Sequence, residues 1–417
     1  MHATFSIKTF GTFIKPHTFD ELSSDNKTPA SACAIIPSFM PNELTLRLVQ
    51  DILKWNPTIH IYVIDDSTPY THEESHLIFR KIAEIPEQVT LLRTPKNKLK
   101  AGAINYALSY ITTNDEIPDA IITLDDDVVI EEYTLQNMLS SLFADERIGA
   151  VCSQSRVLNK NKNLLTRLQG LEYLGFNAVR LADEGFFHGP LVMHGMLTAF
   201  KKEALMAVHG FYENHLIEDY EITTRIKEKG WDVRLATDAY AWTCVPDTFS
   251  KLWKQRTRWI YGGVVIMDDV RYWPSVIQDI TGHFIFLLTL LLITVFMIIP
   301  FDFGLGPISP LIVKIIIILS LTQVAAMYVF QMWFMRFYDE RDGYDWLIRS
   351  TFILEFLYAN ALTVVLLGSY LFHLFNWGCS LFSREVPEHT IIKKIRHIFH
   401  HFGYSNRWNT RVNPTNV

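Results

Sequence analysis

The chain has 417 residues, of which 49% are hydrophobic and 20% charged, and its formal net charge is −6 at pH 7. The negative charge argues against nucleic acid as the main partner. The length allows one large domain with additions, since domains commonly hold roughly 100–200 residues. Residues 1–280 have the composition of a soluble α/β protein, whereas long apolar runs begin near residue 283.

The N-terminal residues 1–19 lack the uninterrupted apolar core and small-residue cleavage site of a signal peptide. Cys33, Cys152 and Cys244 are odd in number and have no metal-ligand spacing, which favours a reducing compartment. We therefore expect residues 1–280 to lie in the cytosol.

The first part of the chain alternates apolar runs with amphipathic segments. Runs typical of strands occupy 32–39, 59–67, 89–95, 119–127 and 148–157, and apolar residues recur at helical spacing over 42–55 and 101–111. Strands separated by helices predict a largely parallel sheet covered on both faces. Ligands bind at the carboxyl ends of the strands in such sheets, so polar residues at those ends are candidates for a site.

Two predicted strand ends carry several carboxylates, at Asp65-Asp66-Ser67 and at Asp125-Asp126-Asp127. Adjacent carboxylates repel one another, and withdrawing them from water is costly without a cation. Mg²⁺ or Mn²⁺ fits, because hard cations take oxygen ligands and Mg²⁺ is often held by one or two carboxylates and substrate phosphates. A simple strand-ending turn is the alternative. The sequence has no glycine-rich phosphate loop, so a metal would have to hold the phosphates.

Three later stretches are further candidates. Lys100 begins a helical segment, where a cation and free backbone N–H groups favour an anion, although this is also an ordinary helix start. Glu218 and Asp219 precede another helix, and capping would explain only one of the two acids. The stretch LWKQRTRWIYGG offers Gln255, Arg258 and Trp259 in turn: an amide, a forked cation and a flat ring. A passive basic and aromatic membrane anchor is the alternative.

The order of these motifs resembles the processive family 2 membrane glycosyltransferases, which include cellulose, chitin, hyaluronan and poly-N-acetylglucosamine synthases. The motifs are Asp-Asp-Ser (65–67), Lys-Ala-Gly (100–102), Asp-x-Asp (125–127), Glu-Asp (218–219) and Gln-x-x-Arg-Trp (255–259). The resemblance implies an α/β fold, a GT-A-type Rossmann-like nucleotide-sugar domain, followed by α-helical transmembrane and amphipathic interface helices.

The same resemblance implies an inverting, metal-dependent transferase that polymerises a β-linked polysaccharide from a UDP-sugar and translocates the product. UDP-glucose and UDP-N-acetylglucosamine are the favoured donors. Two alternatives stay open at this point. One is an enzyme that adds a single sugar to a lipid or glycolipid acceptor, and the other is a non-catalytic membrane subunit.

The resemblance also assigns roles on the donor side. Phe39 would lie against the uracil, Asp66 would hydrogen-bond the base or ribose, and Lys100 would lie near the nucleotide. Asp125 and Asp127 would hold Mg²⁺ or Mn²⁺ on the diphosphate. Asp126 departs from the family pattern, because it stands where a small neutral residue is usual.

On the acceptor side, Asp219, beside Glu218, would be the general base that takes the proton of the attacking hydroxyl. Gln255 and Arg258 would lie against both the diphosphate and the acceptor, with Arg258 supplying positive charge as UDP departs, and Trp259 would stack under the acceptor sugar. Two further residues, His194 and Gly195, would line the acceptor site, although a lone His is often structural.

The expected domains are an N-terminal extension (1–30), a catalytic domain (31–263), a transmembrane region (264–382) and a basic amphipathic tail (383–417). About 20 apolar residues cross a bilayer. The predicted spans and interface helices are spans near 283–300, 308–334 and 351–377, and interface helices near 164–184 and 248–263. A buried core helix is the alternative for 164–184.

Three crossings would place the basic tail outside the cell, against the positive-inside tendency, so we expect an even number of crossings. Either residues 346–382 form two short helices, or one helix lies in the membrane interface. Trp408, Thr410 and Arg411 resemble a gating motif of hyaluronan synthases, with a solvated tail as the alternative. The expected location is a multi-pass protein of the plasma or inner membrane. The expected partners are the UDP-sugar, a growing polysaccharide or glycolipid acceptor, the bilayer and an export subunit.

Overall fold

The computed structural model describes residues 31–85, 88–114, 116–184, 187–213, 215, 217–266, 271–279, 318, 322, 325–326, 328–382 and 390–404. The chain forms two compact units. The first comprises Met1–Tyr272 with Leu357–Val417, and the second comprises Trp273–Phe356. The first unit contains the sheet and every candidate site residue described below.

Eight strands of the described ranges form one sheet, in the order β3-β2-β1-β4-β7-β6-β8-β5. They are β1 (Ala32–Ser38), β2 (His60–Asp65), β3 (Val89–Arg93), β4 (Ala120–Leu124), β5 (Val129–Ile130), β6 (Ile148–Val157), β7 (Leu197–Lys201) and β8 (Asp232–Thr243). β1 to β4 pair in parallel, as do β6 and β8, but β7 runs antiparallel to both of its neighbours and β5 antiparallel to β8.

The sheet is therefore mixed, whereas the alternation of strands and helices predicts a largely parallel one. The difference comes from β7, a fully buried strand between β4 and β6. All five residues of β7 are buried, and this pattern of burial is the same in either chain direction.

The principal helices of the described ranges cover both faces of this sheet or follow it in the chain. They are α1 (Glu43–Trp55), α2 (Glu73–Ala83), α3 (Leu99–Asn114), α4 (Thr134–Phe143), α5 (Leu164–Ala182), α6 (Lys202–Ala207), α7 (Glu218–Glu228), α8 (Phe249–Ile266), α9 (Gly343–Thr351), α10 (Ile353–Phe382) and α11 (Thr390–His401). Short 3₁₀ turns occupy Lys160–Lys162 and Met335–Phe337.

Two apolar cores lie on opposite faces of the sheet. Side chains alternate along a strand, so β1 contributes Ala34 and Ile36 to one core and Cys33 and Ile35 to the other. The first core also contains residues of α1, α2 and α4, and the second contains residues of α3, α6 and α7. The sheet is thus covered on both faces, as the sequence predicts, and its strand ends are left for the site.

Helix α5 is a packed helix rather than an exposed surface helix. Asn163 begins it with a capping box, in which its side chain accepts from the Thr166 backbone N–H. Leu168, Leu171 and Leu174 are among its buried residues, whereas Val179 is 60% exposed. This helix occupies the segment predicted to be an interface helix, and most of its apolar residues are used in protein packing.

One helix of the described residues is long and apolar enough to cross a bilayer, at Ile353–Cys379. It coincides with the predicted span near 351–377. Phe352 has a left-handed φ of 59° and separates α9 from α10. Because α10 alone continues for 30 residues, the range 346–382 does not form two short helices. The predicted span 283–300 and most of 308–334 lie outside the described residues.

The basic tail contains the predicted amphipathic helix, α11. Ile391 and Ile398 are exposed on it, whereas the Phe399 ring packs against Phe372 of α10 with centroids 5.0 Å apart. Trp408, Thr410 and Arg411 lie outside the described residues. All four cysteines, including Cys379, are free.

Candidate active site

The ends of the first three strands share a strained backbone. Met40 follows β1, Ser67 follows β2 and Leu99 begins α3 after β3, and each has a positive φ, of 57°, 58° and 61°. Non-glycine residues rarely adopt this conformation, and such residues cluster at functional sites. The strain marks the carboxyl edge of the sheet, where the sequence places the candidate residues.

The Asp-Asp-Ser motif ties β2 to the loop that follows β3. Asp66 is 3% exposed, and its Oδ1 accepts from the Lys98 backbone N–H at 2.7 Å and from the Thr94 hydroxyl at 2.9 Å. Asp65 accepts from the Thr68 backbone N–H at 2.8 Å and pairs with Arg93. Asp66 therefore shapes the loop that leads to Lys100.

The Asp125–Asp127 triplet follows β4, and each of its three carboxylates contacts a different partner. Asp125 pairs with Lys100, Asp126 accepts from the Ser38 hydroxyl, and Asp127 accepts from the Thr243 hydroxyl at 3.5 Å. Withdrawal from solvent raises the pKa of Asp125 and of Asp127, and raises that of Asp126 to about 6. The hydrogen bond to Ser38 gives Asp126 a contact with the end of β1.

Lys100 joins the two groups of acids. Its ammonium lies 2.6 Å from Asp125 Oδ1 and 3.3 Å from Glu218 Oε1, and it donates to the Gly195 carbonyl at 2.6 Å. Burial lowers its pKa, but the carboxylates of Asp125, Glu218 and Asp219 outweigh that effect, so the pKa of Lys100 is raised. Lys100 is therefore a permanent cation between α3, the Asp-x-Asp segment and α7.

Gly195 lies where a side chain does not fit without displacing Lys100. A Cβ built on Gly195 would be 2.6 Å from Lys100 Nζ and 3.4 Å from Asp219 Oδ2. The backbone of Gly195 uses both polar groups in the site, because its carbonyl accepts from Lys100 and its N–H donates to Asp219 Oδ2 at 2.9 Å. This close approach explains why glycine suits the position.

Asp219 lies in the first turn of α7 and is held at both oxygens. Its Oδ1 accepts from the Tyr220 backbone N–H at 2.8 Å, in addition to the bond from Gly195 to Oδ2. Withdrawal from solvent and the neighbouring Glu218 raise the pKa of Asp219 to about 6, although Lys100 and the two N–H donors lower it. A fixed carboxylate with a pKa near neutrality suits proton transfer at physiological pH.

His194 is neutral and oriented by the backbone. Its Nε2 lies 2.5 Å from the Ser153 carbonyl, so that nitrogen carries the proton. Withdrawal from solvent and the nearby Arg180 lower the pKa of His194 to about 3. Its Nδ1 is buried and has no hydrogen-bond partner within the described part of the chain.

The Gln-x-x-Arg-Trp motif lies on α8. Gln255 and Trp259 are half-buried and Arg258 is exposed, whereas Arg256 is 2% exposed. The Arg256 guanidinium pairs with Glu172 of α5 and lies 4.3 Å from the centroid of the Trp259 ring. The inward-facing arginine of this stretch is thus Arg256 rather than Arg258.

Helix α8 lies beside the carboxylate group. A Cβ on Gly263 of α8 would be 3.9 Å from the ring of Tyr220, the residue after Asp219. Withdrawal from solvent raises the pKa of Tyr173 to about 12, and the charges of both Arg256 and Asp127 act on that hydroxyl. Tyr173 is therefore within electrostatic range of both Arg256 on α8 and Asp127 after β4.

The site has two carboxylates that suit a divalent cation. Asp125 and Asp127 are hard oxygen donors, and withdrawal from solvent raises the pKa of both carboxyl groups. Within the described ranges no group of three or more His, Cys, Asp or Glu side chains is arranged as a metal site. Two carboxylates fit a Mg²⁺ or Mn²⁺ ion whose other ligands come from substrate phosphates and water.

The structure brings Lys100, Asp125, Gly195, Glu218 and Asp219 into direct contact, which unites four separate stretches of the sequence. The sequence motifs do not single out Glu172, Arg256 or Ser38 as site residues. No pattern within the motif distinguishes Arg256 from Arg258. Helical spacing is the signal that indicates an inward-facing Arg256. Leu252 is buried, and Arg256 lies four residues later on the same face of the helix.

Comparison with known proteins identifies relatives of this chain. Two curated relatives are poly-beta-1,6-N-acetyl-D-glucosamine synthases. The one from Staphylococcus aureus is 28% identical over 212 residues, 51% of this chain and 48% of the relative. The one from Staphylococcus epidermidis is 24% identical over 270 residues, 63% of this chain and 62% of the relative. The chain thus spans about half the length of the first of these relatives.

A solved structure with the same fold is a mannosyltransferase from Pyrobaculum calidifontis in complex with GDP-Man and Mn²⁺. It is 16% identical, with a TM-score of 0.51, and the match covers 91% of this chain and 94% of that one. At this identity the likeness shows the fold alone, which is the expected GT-A type. The family model described as glycosyl transferase family group 2 matches residues 120–337, more than half of the chain. The chain therefore belongs to glycosyl transferase family group 2.

Proposed function

We propose that the protein is an inverting, metal-dependent membrane glycosyltransferase that extends a β-linked polysaccharide from a UDP-sugar. The observation that carries the proposal is the Asp219 carboxylate, which is fixed by two backbone N–H groups and has a pKa of about 6. It lies one residue from Glu218, which contacts the same lysine as Asp125. The proposed base, Asp219, thus lies near Asp125, a proposed ligand of the metal ion that binds the diphosphate. Glycosyl transfer requires these two functions close together.

Asp219 is the general base of the proposed reaction. The hydroxyl oxygen of the acceptor attacks the anomeric carbon of the donor, the bond from that carbon to the UDP oxygen breaks, and the hydroxyl proton passes to Asp219. One displacement inverts the configuration, so an α-linked UDP-sugar gives a β-linkage. The bonds from Gly195 and Tyr220 hold the carboxylate in one orientation.

Asp125 and Asp127 are the residues that would hold Mg²⁺ or Mn²⁺. When bound, the ion neutralises charge on the diphosphate of the leaving UDP. Lys100 adds a positive charge beside Asp125, where its three contacts hold it. The Mn²⁺ in the complex of the Pyrobaculum calidifontis mannosyltransferase supports a divalent cation in the reaction.

We favour UDP-N-acetylglucosamine over UDP-glucose as the donor. The support comes from the two staphylococcal relatives, whose names specify a poly-beta-1,6-N-acetyl-D-glucosamine product. Gln255, Arg258 and Trp259 are assigned to the acceptor side, and the partly exposed ring of Trp259 offers a surface on which a sugar can stack.

We place the protein in the plasma or inner membrane, with residues 31–263 in the cytosol. The apolar helix Ile353–Cys379 supports a membrane location. Helix α11 adds exposed Ile391, Ile395 and Ile398 beside Lys393 and Lys394, a pattern typical of helices at a bilayer surface. A polymer formed next to these helices could be passed outward, with or without an export subunit.

The test uses the full chain purified in detergent or lipid. It is incubated with Mn²⁺ or Mg²⁺, a panel of UDP-sugars and a labelled N-acetylglucosamine oligosaccharide, and both released UDP and product length are measured. We expect UDP release with UDP-N-acetylglucosamine and a ladder of long products. Addition of a single sugar would contradict polymerisation, and no UDP release with any donor would contradict the transferase itself.

A further inference from the structure

Arg256 occupies a position that the Gln-x-x-Arg-Trp motif leaves open, yet it is the most buried charged residue of α8. It is 2% exposed, whereas Arg258, the arginine of the motif, is exposed. A buried guanidinium is costly unless its donors are used, so its contacts indicate why it is there.

Arg256 contacts both ends of the motif. Its Nη1 donates to Gln255 Oε1 at 2.6 Å, and its guanidinium carbon lies 4.3 Å from the centroid of the Trp259 ring. The second distance is within the range of a cation–π interaction, which favours a cation over the face of an indole. One side chain thus orients the amide of Gln255 and the ring of Trp259.

Glu172 of α5 holds Arg256 in this orientation. Arg256 donates from Nη2 to Glu172 Oε2 at 2.5 Å and from Nε to Oε1 at 3.3 Å, which is a bidentate pair. The hydroxyl of Tyr358, in α10, donates to the same Oε2 at 2.7 Å. The three helices that meet at Glu172 are α5, the motif helix α8 and the apolar helix α10.

All three nitrogens of the guanidinium therefore have a partner, and its face covers an aromatic ring. A buried ion pair adds little net stability compared with apolar residues of similar volume. Its planar fork, however, fixes several neighbours in one geometry, which a lysine or an apolar side chain cannot do.

We propose that Arg256, held by Glu172, is a positioning residue that sets the Gln255 amide and the Trp259 ring for binding of the acceptor sugar. This inference rests on the proposed function, because it needs an acceptor on Trp259. It assigns Glu172 and Arg256 to the acceptor side only. The donor side, built around Lys100 and Asp125, has its own contacts and is expected to be unaffected.

The variants Glu172→Gln and Arg256→Lys test the pair. Glu172→Gln keeps the side-chain size but removes the charge, and Arg256→Lys keeps the charge but loses the fork. Tyr358→Phe removes one hydrogen bond to Glu172 and is a milder variant that keeps the apolar ring of Tyr358. Lys251→Gln is the matched control on α8, because Lys251 is exposed and pairs with Asp247 outside the cluster.

The experiment measures binding of a β-linked N-acetylglucosamine oligosaccharide and of UDP to the purified full chain, together with transfer. We expect the oligosaccharide Kd to rise at least ~10-fold, or ~1.4 kcal/mol, in Glu172→Gln and in Arg256→Lys. The double variant should be little worse than either single one, because both remove the same geometry. Tyr358→Phe should weaken oligosaccharide binding less, and UDP binding should stay unchanged in all variants.

An unchanged oligosaccharide Kd in folded Glu172→Gln and Arg256→Lys would overturn the inference, as would equal loss of UDP and oligosaccharide binding. If those two variants do not fold, wild-type oligosaccharide binding by Tyr358→Phe would overturn it. Wild-type protein that binds the oligosaccharide but transfers no sugar would refute the proposed function, while the Kd values still decide the role of Arg256. Wild-type protein that binds no oligosaccharide would overturn both.

Discussion

The backbone N–H of Gly195 donates to Asp219 Oδ2 over 2.9 Å, while the carbonyl of the same residue accepts from Lys100 over 2.6 Å. One glycine thus links the proposed base to the cation beside Asp125. The link sets both the position and the charge state of Asp219, since Lys100 lowers the pKa that withdrawal from solvent raises.

Substitution of Gly195 tests this link. In Gly195→Ala the new Cβ would lie 2.6 Å from Lys100 Nζ. Lys100 is the flexible end of a side chain and can move, so we expect a small change in thermal stability. Its displacement from Asp125 and Glu218 should lower transfer by ~100-fold, the loss that goes with a misplacement of about 1 Å.

The matched control is Gly175→Ala. Gly175 lies in α5, and a Cβ there would meet no atom within 4 Å. Alanine should raise the free energy of unfolding by ~0.5–1 kcal/mol, because glycine is a poor helix former, and should leave transfer unchanged. Comparable activity of Gly195→Ala and the wild type would contradict the proposed link.

The pH dependence of transfer follows from Asp219. Its pKa is raised from 3.8 to about 6, so the carboxylate is ionised above that pH and protonated below it. A base acts only when ionised, so kcat should fall about tenfold per pH unit below pH ~6. Lys100→Gln removes a charge that favours the ionised form and should shift this acid limb to higher pH. A limb near pH 4 in the wild type would contradict the assignment.

Metal removal tests the role of Asp125 and Asp127. After chelation, transfer should be lost, and Mn²⁺ or Mg²⁺ should restore it. Asp127→Asn should raise the metal concentration needed for half-maximal activity, because an amide is a weaker ligand for a hard cation. Asp51→Asn, which loses an ion pair with Arg47 on the surface of α1, should behave as wild type. Full activity after complete chelation would contradict the metal assignment.

Much of the fold follows from the sequence because apolar periodicity is local. The predicted strand 148–157 coincides with β6, and the predicted helix 42–55 differs from α1 by one residue. The direction of β7 could not be predicted, because its register against β4 and β6 depends on the path of the preceding chain. The sheet is mixed for that reason.

The sequence predicts the site residues whose charge is costly to bury. It does not predict contacts between residues that are far apart along the chain. A run of acids at a strand end points to Asp125, and a pair of acids before a helix points to Asp219, since such groups need compensation when withdrawn from water. The pair of Arg256 with Glu172 joins residues 84 positions apart, and no local pattern reports it. The residue roles themselves, including those of Phe39 and His194, stay predictions until variants are measured.

Replacement of Asp219 tests the central claim most directly. Asp219→Asn keeps the shape of the side chain and one of its two bonds from the Gly195 and Tyr220 backbone N–H groups, because an amide has a single acceptor oxygen, and it cannot take a proton at neutral pH. UDP release in the presence of acceptor, with UDP binding as the check on folding, should fall at least ~100-fold while UDP still binds. Wild-type rates of transfer by Asp219→Asn would show that Asp219 is not the base and would contradict the account.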